Sequence, residues 1–158
     1  MNEDTQRIAS VTLDEHTVIS RSPDIENERA AAIADLLTQN RFDLASGRPG
    51  PFHLHLGVEE NRLAMEVRAD GDGSSETIVL PLAPFRRIVK DYFLVCESYY
   101  AAIRHGNLTQ AEAIDVGRRS LHDEGSALLI ERLAGKAALD HDTARRLFTL
   151  LCVLHLRA

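Results

Sequence analysis

From Phe52 to Leu82 the side chains alternate between apolar and polar in three successive runs, and no other feature of the chain constrains its fold so tightly. Phe52, Leu54, Leu56 and Val58 alternate with His53, His55, Gly57 and Glu59. Leu63, Met65 and Val67 alternate with Arg62, Ala64, Glu66 and Arg68, and Ile78, Leu80 and Leu82 follow a Gly-Asp-Gly-Ser-Ser turn. A period of two puts each apolar set on one face of a strand. A tight turn at Glu60-Asn61 pairs Glu59 with Arg62, Val58 with Leu63, Leu56 with Met65 and Leu54 with Val67. Every apolar residue then meets an apolar one, which fixes the register. The same register sets His55 opposite Glu66 and His53 opposite Arg68. Such a meander has one apolar face, and that face needs a cover.

The cover follows at once. Pro84 to Arg104 is the longest and most apolar helical pattern, with proline suited to the first helical position and Gly106 as the stop. Phe85, Ile88, Val89, Tyr92, Phe93, Cys96, Tyr99, Tyr100 and Ile103 recur every three or four residues. Leu94, Val95 and Ala101 widen that face until only a narrow polar strip is left, so this helix is expected to be covered on most sides. Ser22-Pro23 reads as the start of an earlier helix reaching about Asn40, with Ile25, Ala30, Ile33, Leu36 and Leu37 inside. Thr109 and Glu112 have the spacing of a capping box and open a helix to about Ala134. Within it, Gly117 and Gly125 point to close packing, a kink or a break. A last helix starts at Asp140. Ile8 to Asp14 is a strand, which a short Val18–Ile19 run extends as a hairpin. The expected architecture is a single α+β domain over residues 1–158. It has a small antiparallel β-meander of three to four strands, whose apolar face is covered by about four helices with Pro84–Arg104 at the centre. Residues 1–6 are expected to fray and 41–51 to form a loop.

Composition narrows the function classes. No stretch approaches the roughly 20 apolar residues of a membrane span. The polar start, MNEDTQR, has no secretory h-region. Cys96 and Cys152 fall in apolar helical patterns and read as small buried hydrophobes. A cytoplasmic location is the default. A net charge of −6 and strands poor in aromatic residues argue against nucleic acid. Charge is uneven: residues 1–83 carry a net of −8 and residues 84–158 a net of +2. There is no P-loop, dinucleotide fingerprint or nucleophile elbow.

Three constellations remain. His53 and His55 share one face of a strand, with Glu66 as the nearest third ligand for a metal. Glu112, Asp115, Arg119 and His122 line one stripe of a helix, where His122 beside Asp115 and Glu124 has the makings of a general acid or base. Arg86-Arg87, Arg118-Arg119 and Arg145-Arg146 repeat on three helices, and converging guanidinia hold phosphates or carboxylates. Lys90 and the hydroxyls of Tyr92, Tyr99 and Tyr100 lie in the same patterns.

The blocks PFRRIVKDYFLVCESYYAAIR, AIDVGRRSLHDEGSALLIERLAGK and DTARRLFTLLCVLHLRA closely resemble an alphaproteobacterial uncharacterised protein family, and VTLDE, ENERAAAIADLL and HLHLGVEENRL fit it as well. The resemblance implies a small cytosolic bacterial protein and carries over no activity. The functional expectation from the residues is a non-enzymatic binding or regulatory protein, without cofactor, for a small anionic ligand or a protein partner. The ligand-binding residues would be Arg86, Arg87, Lys90, Arg118, Arg119, Arg145 and Tyr99. The alternative is a small enzyme acting on an anionic substrate through His122. Either is compatible with an oligomer.

Overall fold

The computed structural model describes residues 5–14 and 23–154. Strands β3 (Phe52–Glu59), β4 (Arg62–Ala69) and β5 (Ser75–Pro81) form the antiparallel meander. The β3–β4 register is the expected one throughout, including Leu54 against Val67, His55 against Glu66 and His53 against Arg68. Glu60 and Asn61 both take positive φ, 53° and 61°, the backbone of a two-residue hairpin turn whose twist matches the strands.

The first strand corrects the expected topology. β1 (Ile8–Leu13) pairs with β3 in parallel, so the sheet is mixed, with order β1-β3-β4-β5. A parallel neighbour requires a crossover, and helix α1 (Pro23–Thr38) lies in that connection. The expected hairpin at Val18–Ile19 and the Ser22 cap lie outside the described residues. A shift in register between Ile8 and Ser10 buries Ile8, Val11 and Leu13 together. Two short strands, β2 (Phe42–Leu44) and β6 (Ala137–Leu139), pair antiparallel as a separate ribbon. β2 falls inside the expected loop, because three residues are too few to show a period.

Helix α2 (Arg86–Arg104) starts after a single 3-10 turn, Ala83–Phe85, which takes up Pro84. It buries Ile88, Val89, Tyr92, Cys96 and Ala102 but leaves Leu94 54% and Ile103 41% exposed. It is therefore covered along one side only. The helix enclosed all round is α4 (His141–Leu154), in which Thr143, Ala144 and every residue from Leu147 to Leu154 are buried. α4 packs on β3 and between α1 and helix α3 (Leu108–Leu133), while α2 packs outside against α3. α1 turns inward much of the expected side, with Ile33 packed partly against the core beside Ile25 and Leu36, but the stripe is shifted. Ile25, Glu28, Ala32 and Leu36 are buried, whereas Ala30 and Leu37 are exposed.

α3 is capped two residues earlier than the Thr109–Glu112 box. The Asn107 side chain accepts from the Gln110 N–H at 3.0 Å and donates to the Gln110 side chain at 3.0 Å. The first bond is the ordinary Asn N-cap; the second joins the two side chains, unlike a capping box, because the Asn107 backbone N–H bonds the Ala102 carbonyl instead. α3 runs unbroken past both its glycines. A Cβ on Gly125 would lie 2.5 Å from the Phe148 ring of α4, whereas one on Gly117 meets nothing within 4 Å. Phe148 is fully buried and has nowhere to retreat. Gly125→Ala is expected to cost about 1–3 kcal/mol by overpacking. Gly117→Ala is expected to gain about 0.5–1 kcal/mol from helix propensity. Urea midpoints of the two variants should therefore move in opposite directions, and a shared direction would refute this account of the α3–α4 contact.

Candidate functional site

A carboxylate lies where α1, α2 and α3 meet. The inward stripe of α1 carries Glu28 in register with Ile25 and Leu36, and Glu28 is only 9% exposed. On α2, Tyr92, Cys96 and Tyr100 are spaced by four, which puts all three on one stripe. That stripe faces Glu28. The Tyr92 hydroxyl donates to Glu28 Oε1 and the Tyr100 hydroxyl to Oε2, with Cys96 Sγ 4.0 Å from Oε1. From α3, Arg118 Nη1 reaches Oε2 at 3.0 Å. A buried carboxylate is costly unless its lone pairs are satisfied, and here both oxygens accept.

Arg118 links this centre to the surface. Its Nε and Nη2 both lie 2.9 Å from Asp115 Oδ1, and its guanidinium stacks 4.4 Å above the Tyr99 ring. Arg119 grips the other Asp115 oxygen through Nε at 3.0 Å and Nη2 at 2.8 Å. Burial alone would lower the Arg118 pKa, but the Glu28 and Asp115 carboxylates reverse this and hold it above its ordinary value. Burial alone would raise Asp115, but its hydrogen bonds to Arg119 and Arg118 hold it below the usual carboxylate range. The Tyr92 and Tyr100 phenols are pushed up, first by burial and further by Glu28, so they stay protonated donors. Burial, then Glu28, pushes the Cys96 thiol up to about 12, which leaves it a thiol and a poor nucleophile at neutral pH.

One turn beyond Arg118, the His122 ring packs 5.1 Å from the Tyr92 ring, and its Nε2 lies 3.4 Å from the Thr149 hydroxyl oxygen. Burial, reinforced by Arg118, pushes its pKa down to about 4. Beside it opens a cleft of about 540 Å³ between the four helices. Asp115, Arg118, Arg119 and His122 from α3, Arg145 and Arg146 from α4 and Tyr99 from α2 line it, with Glu28 at its wall. Arg145 Nη2 is 3.7 Å from Asp142, a loose contact. Arg146 donates through Nη1 to the Gln39 carbonyl at 3.3 Å, while its buried Nε has no hydrogen-bond partner among the described residues.

The sequence candidates are thus divided. Arg118, Arg119, Arg145, Tyr99, Asp115 and His122 line the cleft; Arg86, Arg87, Lys90 and Glu124 do not. Arg87 instead bonds Asp91 at 3.2 Å and also bonds Glu124. Glu124 is two residues beyond His122, which on a helix turns it to the opposite side. His53 Nδ1 lies 2.6 Å from Ser10 Oγ and its Nε2 3.3 Å from Asp70, while His55 Nδ1 lies 2.7 Å from Thr12 Oγ1. His55 and Glu66 share a hollow of about 240 Å³, but no group of three or more side chains that could hold a metal ion occurs among the described residues. Sequence reasoning missed Glu28. Its signal was a lone carboxylate on the Ile25–Ala32–Leu36 stripe, matched by the Tyr92–Cys96–Tyr100 spacing.

Fold and site together define an α+β protein with an arginine-lined cleft among its helices. Among the described residues no helix is long and apolar enough to cross a membrane. The chain belongs to the uncharacterised protein family UPF0262, whose model matches residues 5–157. A UPF0262 protein of Rhodospirillum rubrum is 55% identical over 155 residues, covering 98% of this chain and 96% of that one. One from Rhodopseudomonas palustris strain TIE-1 is 53% identical over 154 residues, covering 98% and 94%. One from Bradyrhizobium sp. strain BTAi1 is 54% identical over 153 residues, covering 96% and 90%. No solved structure matches the chain.

Proposed function

We propose that this chain is a non-enzymatic binding protein for a small ligand bearing a carboxylate or phosphate, seated in the cleft among the four helices against the arginines of α3 and α4. The observation that carries this reading is the convergence of Arg118, Arg119, Arg145 and Arg146 on one cleft of about 540 Å³. That volume is in the usual range for small-molecule sites, roughly 300–1,000 Å³. Arg118 is held by Glu28 and Asp115 and serves as a fixed wall. Arg119 and Arg145, more exposed and each with a single carboxylate neighbour, are the arms that would close on an anion. The buried Nε of Arg146 adds a donor whose isolation costs about 1–3 kcal/mol and which an anionic acceptor would relieve. Acid–base catalysis by His122 is the weaker reading. Its ring is in the cleft, but burial leaves it neutral and weakly basic at pH 7, and Glu124 is on the far side of α3.

The test is a thermal-shift screen against inorganic phosphate, phosphorylated metabolites and di- and tricarboxylates. A ligand at 100 times its Kd adds about 2.7 kcal/mol to stability, a shift of several degrees. Arg119→Ala combined with Arg145→Ala should abolish that shift while Arg87→Ala leaves it intact. An unchanged shift in the double variant would overturn the assignment of the site.

A further inference from the structure

The cleft continues past Tyr99 and Ile103. A second groove, about 590 Å³, runs between the end of α2 and the first turns of α3, and the two hollows share Tyr99, Ile103, Asp115 and Arg119. Beyond this junction the groove is lined by Leu108, Ala111 and Val116, with the Glu112 carboxylate as its one charged side chain. Ile103, Leu108 and Val116 line it and are 41%, 62% and 65% exposed, the last two being the most exposed large hydrophobic side chains among the described residues. Apolar side chains left in water at that level do nothing for the core. Here all three fall along one track whose inner end is marked by a guanidinium.

We propose that the ligand of the cleft is an amphiphilic anion, its carboxylate or phosphate head held by Arg119 and Arg145 and its unbranched aliphatic chain laid over Ile103, Val116 and Leu108. The proposal rests on the anion-binding reading above and adds the chemistry of the rest of the ligand. On α3, Leu108 and Arg119 are roughly 16 Å apart along the axis, the scale of a medium-length aliphatic chain. A second copy of this chain fits the track less well. A stable interface engages about 20–30 residues a side, whereas this one offers three apolar side chains flanked by Glu112 and Arg119. Continuity with the arginine cleft also suits a ligand with one charged end and one apolar end.

The experiment is titration calorimetry of the full chain with inorganic phosphate, butyl phosphate, octyl phosphate, butyrate, octanoate and uncharged octanol, each below its micellar concentration. Affinity should rise about two- to fourfold per methylene from butyl to octyl in both anion series. Leu108→Asn with Val116→Asn, both at exposed positions, should flatten this dependence and leave the short anions as they were. Equal binding of short and long anions would overturn the amphiphile and leave the anion site standing. Loss of a dimer on the double substitution, without a change in chain-length dependence, would assign the groove to self-association and also overturn it. Octanol binding as tightly as octyl phosphate, or no binding by any anion, would overturn both readings.

Discussion

Glu28→Ala is expected to destabilise the fold by about 3–5 kcal/mol, the range for removing one member of a buried charge pair. The reason is what the substitution leaves behind. Tyr92 and Tyr100 both donate to this carboxylate, and Arg118, 19% exposed at its side chain, spends one arm on it. Alanine would orphan two hydroxyls and half of a guanidinium, and it would also open a hollow at the meeting point of three helices. Arg118 keeps Asp115, so the loss should fall toward the lower end. Tyr92→Phe and Tyr100→Phe should each cost less, about 1–2 kcal/mol, because each removes one hydrogen bond to a charged acceptor. Urea unfolding at pH 7 measures all three. In a double-mutant cycle Glu28 and Arg118 should couple by more than 1 kcal/mol. A Glu28→Ala cost below about 1 kcal/mol would show that the carboxylate is bystander to the packing.

That centre also shows where sequence reading stops. The hairpin register was legible because each apolar residue of β3 has an apolar partner in β4, and any slip would reverse both strands' faces. Helix stops were legible because Gly106 and Gly135 take the positive φ, 73° and 84°, that glycine adopts without strain. Glu28 was not, because periodicity sorts side chains by hydrophobicity and places a carboxylate outside by default. Its partners are more than sixty residues away, on a different helix. The order of burial among the helices was misjudged for a related reason. α2 has the longer apolar pattern, but its charged residues Arg87 and Asp91 and its exposed Leu94 mark an outer layer. α4 is shorter, yet its last eight residues have no charge and form an unbroken buried run. The mixed sheet was hidden because a strand's sequence records which residues alternate and not the direction of its neighbour. The cleft was half legible: the Arg-Arg pairs on α3 and α4 do converge, and the pair on α2 lies elsewhere because α2 turns that end toward Glu124.

Lowering the pH from 7 to 4 is expected to remove about 3 kcal/mol of stability, chiefly through His122. Burial and Arg118 depress its pKa from 6.5 to about 4 in the folded chain, with Arg145 acting in the same direction and Glu28 and Asp123 opposing. Between these two values the unfolded chain binds more protons than the folded one, so stability rises with pH across the window. The contribution is whole above pH 6.5 and drains away as the pH approaches 4, at about 1.4 kcal/mol per unit. Asp115 acts below that window. Its folded pKa is depressed, so its contribution is present above the unfolded value and is lost only as the pH falls through the lower folded one. Urea unfolding at half-unit intervals should therefore give a slope beginning near pH 6.5, where carboxylates contribute little. His122→Gln removes the titrating group and keeps an acceptor near Thr149. Its stability at pH 7 is set by packing, so the readout is the difference between pH 7 and pH 4.5, which should shrink to less than half. A wild-type profile flat over that range, or an equal slope in the variant, would mean that His122 is open to water and does not form part of the buried wall of the cleft.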